Sequence, residues 1–139
     1  MNEEPLVKVL IIDDDEDIVM VIRDFFEGFE QSHNLSVCTS SVALDAQKKI
    51  KDLKPDILIT DILIPGADGY QLVEFAKQSN ENCCVAIISG KINNETNPIV
   101  NYYLKKPFEF EKFESLVSEM ITYALTCQNK ILSQNIGNN

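Results

Sequence analysis

Cations are scarce in this chain: 12 Lys and Arg stand against 22 Asp and Glu, for a formal net charge of −10. That balance argues against nucleic acid as a direct ligand, which needs a Lys/Arg surface against the phosphates. It also argues against electrostatic docking on an anionic membrane face. There is a single histidine, His33, in a polar stretch with the look of an exposed loop. The four cysteines, Cys38, Cys83, Cys84 and Cys127, lack the paired spacing of a metal site. They read as small buried hydrophobes or surface thiols in a reducing compartment. No apolar run approaches the length of a membrane span. The start, "MNEEPLVKV", is acidic and lacks the apolar core of a secretory signal. The expectation is a cytoplasmic protein with no membrane partner and no direct nucleic-acid partner.

What is present suits one domain. The chain has 139 residues, 45% hydrophobic and 24% charged, enough to bury a proper core. "VKVLII" (7–12), "DILIT" (56–60) and "CCVAIIS" (83–89) are continuous apolar runs, "LSVCT" (35–39) alternates, and "YYL" (102–104) is shorter. Between them apolar residues recur at helical spacing: Ile18, Val21, Ile22, Phe25, Phe26 and Phe29 in one segment, and Val42, Ala46, Ile50 and Leu53 in the next. Ser40 or Ser41 is a candidate cap for the second of these helices. A third helix carries Tyr70, Leu72, Val73 and Ala76, and a last one carries Phe110, Phe113, Leu116, Val117, Met120, Ile121 and Ala124. Continuous apolar strands alternating with helices predict an α/β fold with a parallel sheet covered on both faces. The domain is expected over residues 1–127, with 128–139, polar and Asn-rich, as a disordered tail.

The chemistry gathers at strand ends. The stretch "IIDDDED" (11–17) carries Asp13 and Asp14 directly after the first strand; Asp61 follows the third, Ser89 ends the fourth and Lys106 lies just past the fifth. Right-handed crossovers bring these ends to one edge of the sheet, where ligands of such folds bind. Taken singly, each feature has a plain account: a solvated helix start, a cap, a surface turn. Together they predict three carboxylates, a hydroxyl and an ammonium at one spot. Gathered carboxylates need a cation or a proton at neutral pH. Mg2+, a hard ion held by one or two carboxylates and several waters, meets that need. Lys106 can supply a second positive charge to a phosphoryl group, and Ser89 can donate a hydrogen bond to it. One carboxylate is then free to act as a nucleophile and form an acyl phosphate.

The segments "VLIIDDDEDI", "PDILITDILIPGADGYQLV", "VAIISGK" and "YYLKKPF" resemble the receiver domains of two-component response regulators, over about Val7 to Ala124. The resemblance implies a (βα)5 flavodoxin-like, doubly wound five-stranded parallel sheet of order 2-1-3-4-5. It implies that Asp61 is the phosphoacceptor and that Asp13 and Asp14 hold Mg2+, with the Asp61 side chain and the backbone carbonyl of Leu63. Ser89 corresponds to the hydroxyl residue that follows the phosphoryl group, Tyr103 to the aromatic switch, and Lys106 to the lysine before a cis-proline-type turn, here Pro107. The backbones of Ile62 and Gly90 correspond to positions that contact the phosphoryl oxygens. The implied partners are a histidine kinase or histidine phosphotransfer protein upstream, and an unidentified separate protein downstream. The chain would catalyse only its own phosphorylation and dephosphorylation.

Ser89 and Lys106 stand 17 residues apart, fewer than the resemblance leads one to expect. "KINNETNPIVN" (91–101) holds four asparagines and an Asn-Pro step, which disfavour helix. The expectation is a short, irregular or missing fourth helix. Leu63 and Lys91 occupy positions that tune dephosphorylation, and a leucine cannot orient an attacking water, so slow self-hydrolysis is expected. His33 is read as a surface residue rather than a phosphodonor, and Asp15, Glu16 and Asp17 as a helix start. Asp68-Gly69 is read as turn and cap chemistry, and Tyr102 as second to Tyr103 for the switch. Two alternatives use the same residues: a receiver-like binding module without switching, and a Mg2+-dependent phosphohydrolase. The latter lacks a second acid/base aspartate, because Leu63 stands two residues past Asp61.

Overall fold

The computed structural model describes residues 5–92 and 97–137. Seven strands and four helices are assigned among them: β1 (Val7–Ile12), α1 (Glu16–Glu27), β2 (Leu35–Ser40), α2 (Ala43–Leu53), β3 (Ile57–Thr60), β4 (Leu63–Ile64), β5 (Ala67–Asp68), α3 (Gly69–Ser79), β6 (Cys84–Ser89), β7 (Tyr102–Lys105) and α4 (Phe110–Gly137). Five strands form one parallel sheet in the order β2-β1-β3-β6-β7. Discounting the two-residue hairpin β4–β5, this is the 2-1-3-4-5 order expected from the sequence.

Both faces of the sheet are covered, which is why its strands read as unbroken apolar runs. Successive residues alternate between two cores. Val7, Val9, Ile11, Ile57, Ile59, Cys84, Ala86 and Ile88 face α1 and α4, where Phe26, Phe113, Val117 and Met120 meet them. Leu10, Ile12, Leu58, Cys83, Val85 and Ile87 face α2 and α3, against Ala46, Ile50, Leu72 and Val73. The adjacent Cys83 and Cys84 therefore lie on opposite faces, both buried. Burial pushes each of these thiols up to about 12, which keeps them protonated and inert. Cys38 and Cys127 are half-buried, and all four cysteines are free thiols.

Helix ends follow the sequence in part. Asp15 caps α1, its carboxylate accepting from the amides of Asp17 and Ile18, and Glu16 and Asp17 add negative charge at the positive end of the dipole. Asp68 caps α3 in a capping box with Gln71. Neither Ser40 nor Ser41 caps α2. Val42 holds the cap position without a side-chain bond, because the Ser40 hydroxyl is drawn to the Val42 carbonyl and to Asp45. His33 is half-buried, not exposed on the surface as read from its polar surroundings. Its ring stacks on Phe29 at a centroid distance of 6.4 Å.

None of the described residues between β6 and β7 is helical, as the asparagines and the Asn-Pro step led one to expect; residues 93–96 of that segment lie outside the described residues. In place of a helix, Ile92, Ile99 and Val100 cover the sheet face above α3, and the Asn101 side chain accepts from the Val85 amide and the Lys77 ammonium. Helix α4 runs on to Gly137, through most of the segment read from the sequence as a disordered tail, and residues 138–139 lie outside the described residues. Its apolar stripe continues from Ala124 through Cys127 to Ile131 at helical spacing, and the Gln128 amide donates to the Leu6 carbonyl at 3.0 Å. That bond ties the distal helix to the start of β1, and asparagine costs a helix only a few tenths of a kcal/mol more than its neighbours in rank.

Helix α2 stops at Lys54, whose φ of 48° is left-handed and whose amide still reaches the Ile50 carbonyl. A side chain is strained there where glycine is not. Lys54→Gly is expected to stabilise the fold by about 0.5–1 kcal/mol, read as a higher urea midpoint at unchanged slope.

Candidate functional site

Strand register sets the site. Ile12 is level with Thr60, and Thr60 with Ile87. The residues one step beyond Ile12 and Thr60 are Asp13 and Asp61, so the two carboxylates leave adjacent strands at the same height. Their backbones remain tied to the sheet: the Asp61 amide donates to the Ile12 carbonyl, and the Asp13 amide to the Ser40 carbonyl. Lys106 leaves β7 at the same edge, its amide on the Ser89 carbonyl, and the Lys106–Pro107 peptide is cis.

The side chains then converge. Lys106 Nζ donates to Asp13 Oδ2 at 2.6 Å and to Asp61 Oδ2 at 2.9 Å. The other oxygens are also engaged: Asp13 Oδ1 accepts from the Asp15 amide, and Asp61 Oδ1 from the amides of Ile62 at 2.6 Å and Leu63 at 3.4 Å. Asp13 is only 3% exposed, a buried carboxylate held by one ammonium and one amide. A charged group at that depth persists only with such partners.

The two acids respond differently. Burial pushes the Asp13 carboxyl above its ordinary value, and the bonds from Lys106 and the Asp15 amide offset only part of that. Burial also opposes ionisation of Asp61, but hydrogen bonds from Ser89 and Lys106 outweigh it and hold Asp61 below the usual carboxylate value. Burial works against the Lys106 ammonium as well, yet Asp13 and Asp61 together raise it. Asp61 is thus the carboxylate whose charge the site favours, beside a fixed cation. That is the setting of a nucleophilic carboxylate facing an anionic substrate.

Of the residues singled out from the sequence, Asp13, Asp61, Ser89 and Lys106 come together. Ser89 is fully buried, its hydroxyl accepting from the Lys91 amide. Asp14 stands exposed beside them, because neighbouring residues leave an extended segment in opposite directions. Among the described residues, no group of three acidic, histidine or cysteine side chains is spaced to hold a metal ion. Leu63 is 60% exposed at the rim. Gly90 is exposed, with open space where a side chain would stand. Tyr103 lies on the α2/α3 face and Tyr102 on the other, as strand alternation requires.

Gly69 has a role the sequence reading missed. A Cβ there would overlap the Asp61 carbonyl oxygen and lie 3.0 Å from the Ile62 Cα, while the Gly69 amide donates to the Ile62 carbonyl. The start of α3 is therefore packed directly on the backbone that presents Asp61. The Asp-Gly step signals a turn, but no local pattern says what backbone lies against it.

Comparison with known proteins bears on the site. Residues 9–118 match the family described as the response regulator receiver domain. The probable C4-dicarboxylate response regulator DctR of Halalkalibacterium halodurans is 34% identical over 127 residues, covering 86% of this chain and 53% of that protein. Protein PilG of Pseudomonas aeruginosa is 32% identical over 113 residues, 76% of this chain and 81% of PilG. The chain thus spans about half the length of the DctR relative. The beryllofluoride-activated NtrC4 receiver domain dimer superposes with a TM-score of 0.70 at 25% identity, over 84% of this chain and 98% of that one. A putative response regulator from Chloroflexus aurantiacus gives a TM-score of 0.70 at 24% identity, over 85% and 99%, which shows the shared fold. Among the described residues no helix is long and apolar enough to cross a membrane.

The site makes two predictions. Because the folded state disfavours ionised Asp13, Asp13→Asn is expected to stabilise the protein at pH 7. A folded pKa raised above its unfolded value gives a stabilisation that grows as pH falls through it; the advantage of Asn over the wild type should therefore shrink as pH approaches 4, in urea titrations across that range. Gly69→Ala is expected to destabilise by about 1–3 kcal/mol, the scale of overpacking against a fixed neighbour. The measurement is the unfolding midpoint of the two proteins.

Proposed function

The chain belongs to the response regulator receiver domain family, and on that premise we propose that it is a switch controlled by phosphorylation of Asp61. The observation that carries this reading is the Lys106 ammonium shared by Asp13 and Asp61 at 2.6 and 2.9 Å. A phosphoryl group on Asp61 then forms within reach of a fixed positive charge. The donor is the phosphohistidine of a histidine kinase or a histidine phosphotransfer protein. An Asp61 carboxylate oxygen forms a bond to phosphorus as the phosphorus–nitrogen bond breaks, and the donor imidazole keeps the electron pair and takes up a proton.

The donor set suits Mg2+. Asp13 and Asp61 lie close enough to share one ammonium, the atoms they offer an ion are all oxygens, and one or two carboxylates suffice for an ion that keeps its waters. Asp13, Asp14, Asp61 and the Leu63 carbonyl would hold it. Bound there, Mg2+ supplies charge neutralisation for the transferring phosphoryl group. The chain's own residues do the rest. The amide of Ile62 fixes the acceptor carboxylate, Lys106 and the Ser89 hydroxyl face the new oxygens, and the open space at Gly90 leaves room for them. Ser89 and Tyr103 follow the added charge, and the altered surface is read by a separate protein. Leu63, apolar at the rim of the site, offers no hydrogen bond to orient a hydrolytic water.

Incubation with a small-molecule phosphodonor and Mg2+ is expected to add one phosphoryl group to the wild type and none to Asp61→Asn, by intact mass. The acyl phosphate should decay slowly, and its loss should accelerate in Leu63→Asn. An unmodified wild type would sink this reading.

A further inference from the structure

Tyr103 is held on the side of α3. Its hydroxyl lies 3.2 Å from the hydroxyl of Tyr70, in the first turn of α3. It also accepts from the Asn97 amide at 2.8 Å, in the irregular segment between β6 and β7. Tyr70 follows Gly69, the residue packed on the Asp61 carbonyl and bonded to the Ile62 carbonyl. One continuous line of contacts thus runs from the backbone of Asp61 through Gly69 and Tyr70 to Tyr103 and Asn97. Ser89 answers to different partners: the Lys91 amide and the Asp61 carboxylate.

We propose that Tyr70 is a positioning residue that holds the Tyr103 hydroxyl toward α3 and so opposes the movement of Tyr103 in response to charge on Asp61. The inference rests on the reading of Asp61 as phosphoryl acceptor. It assigns to the acceptor loop a second connection to Tyr103, separate from Ser89. A movement that takes the Tyr103 hydroxyl away from α3 breaks its contacts with both Tyr70 and Asn97. Each neutral hydrogen bond is worth a factor of about three to ten in such an equilibrium. Asn97 lies in the short segment rather than in a helix, so the hold depends on tyrosine side chains more than on a packed element. Tyr70 stays protonated throughout the neutral range: burial, and then its bond to Tyr103, push its phenol up to about 12. The contact is therefore a neutral one, independent of pH near 7.

The test uses the full chain with beryllofluoride and Mg2+ as the probe. Tyr70→Phe removes one hydroxyl and keeps the ring, so the fold is retained, as circular dichroism will confirm. Wild type should bind the probe and Asp61→Asn should not. Tyr70→Phe is expected to bind about three- to tenfold more tightly, one neutral hydrogen bond's worth. Adding Tyr70→Phe to Tyr103→Phe should change nothing further, since the partner hydroxyl is already gone. Equal or weaker binding by Tyr70→Phe, beside a normal wild type, overturns the proposal, and so does full additivity in the double variant. Amide exchange at Asn97 supplies a readout that needs no phosphoryl chemistry: it should quicken in Tyr70→Phe, and unchanged exchange overturns the proposal as well. Quickened exchange in Tyr70→Phe beside a wild type that does not bind the probe means that the acceptor reading fails, and with it the effect on switching, while the Tyr70–Tyr103 contact itself stands.

Discussion

Two carboxylates on neighbouring parallel strands would repel one another, and the Lys106 ammonium between them resolves that repulsion. The constraint originates in the sheet. Register places Asp13 and Asp61 one step beyond level residues of β1 and β3, at the strand spacing of about 4.8 Å that hydrogen bonding imposes. Both backbones are tied to the sheet, so the two carboxylates leave it side by side. A cation must come to them, and Lys106 arrives from the far edge of the sheet across β6. The closing strand β7 and the turn at Pro107 therefore matter less for the core they cover than for the ammonium they deliver.

Similar surroundings leave the two acids unequal, and that inequality is what makes a nucleophile. Asp13 is buried more deeply and its charge is disfavoured; Asp61 has more donors and its charge is favoured. The same ammonium serves both, so the difference comes from the neighbours: Ser89 and the Ile62 amide on one side, little beyond the Asp15 amide on the other. A site of this kind costs stability in the free protein, as strained or desolvated functional groups commonly do. The two apolar cores on either face of the sheet supply the stability that offsets that cost.

Surroundings also distinguish the two tyrosines of β7. They are neighbours in sequence, yet Tyr102 enters the core beneath α1 and α4 while Tyr103 crosses to α3. The segment before β7 is short and irregular, and the Asn97 backbone amide from it reaches Tyr103. The polar network around that hydroxyl takes over part of the work that packing against a helix would otherwise do.

Much of this was legible in the residues. Unbroken apolar runs predicted buried parallel strands, because both faces are covered. Asp13, Asp61, Ser89 and Lys106 at the ends of those runs predicted one shared edge, because right-handed crossovers allow no other arrangement. Asp15 showed as part of a helix start and Asp68 as turn and cap chemistry, because capping is a local affair of three residues. The rest depended on contacts between distant segments. Asp14 is indistinguishable from Asp13 in the string "DDD"; only the direction in which each leaves the strand end separates them. The helical run through residues 128–137 was hidden by its polar composition, since its anchor is the carbonyl of Leu6, 122 positions away. Gly69 and Tyr70 read as an ordinary turn and helix start. Their closeness to the Asp61 backbone and to Tyr103 exists only once α3 is laid against the sheet. Sequence alone determined the strands, the edge and the chemistry gathered on it, because periodicity and handedness are local rules. Tertiary structure decided which acid's charge is favoured, which is exposed and which tyrosine is held, because those depend on burial and on partners distant in the chain.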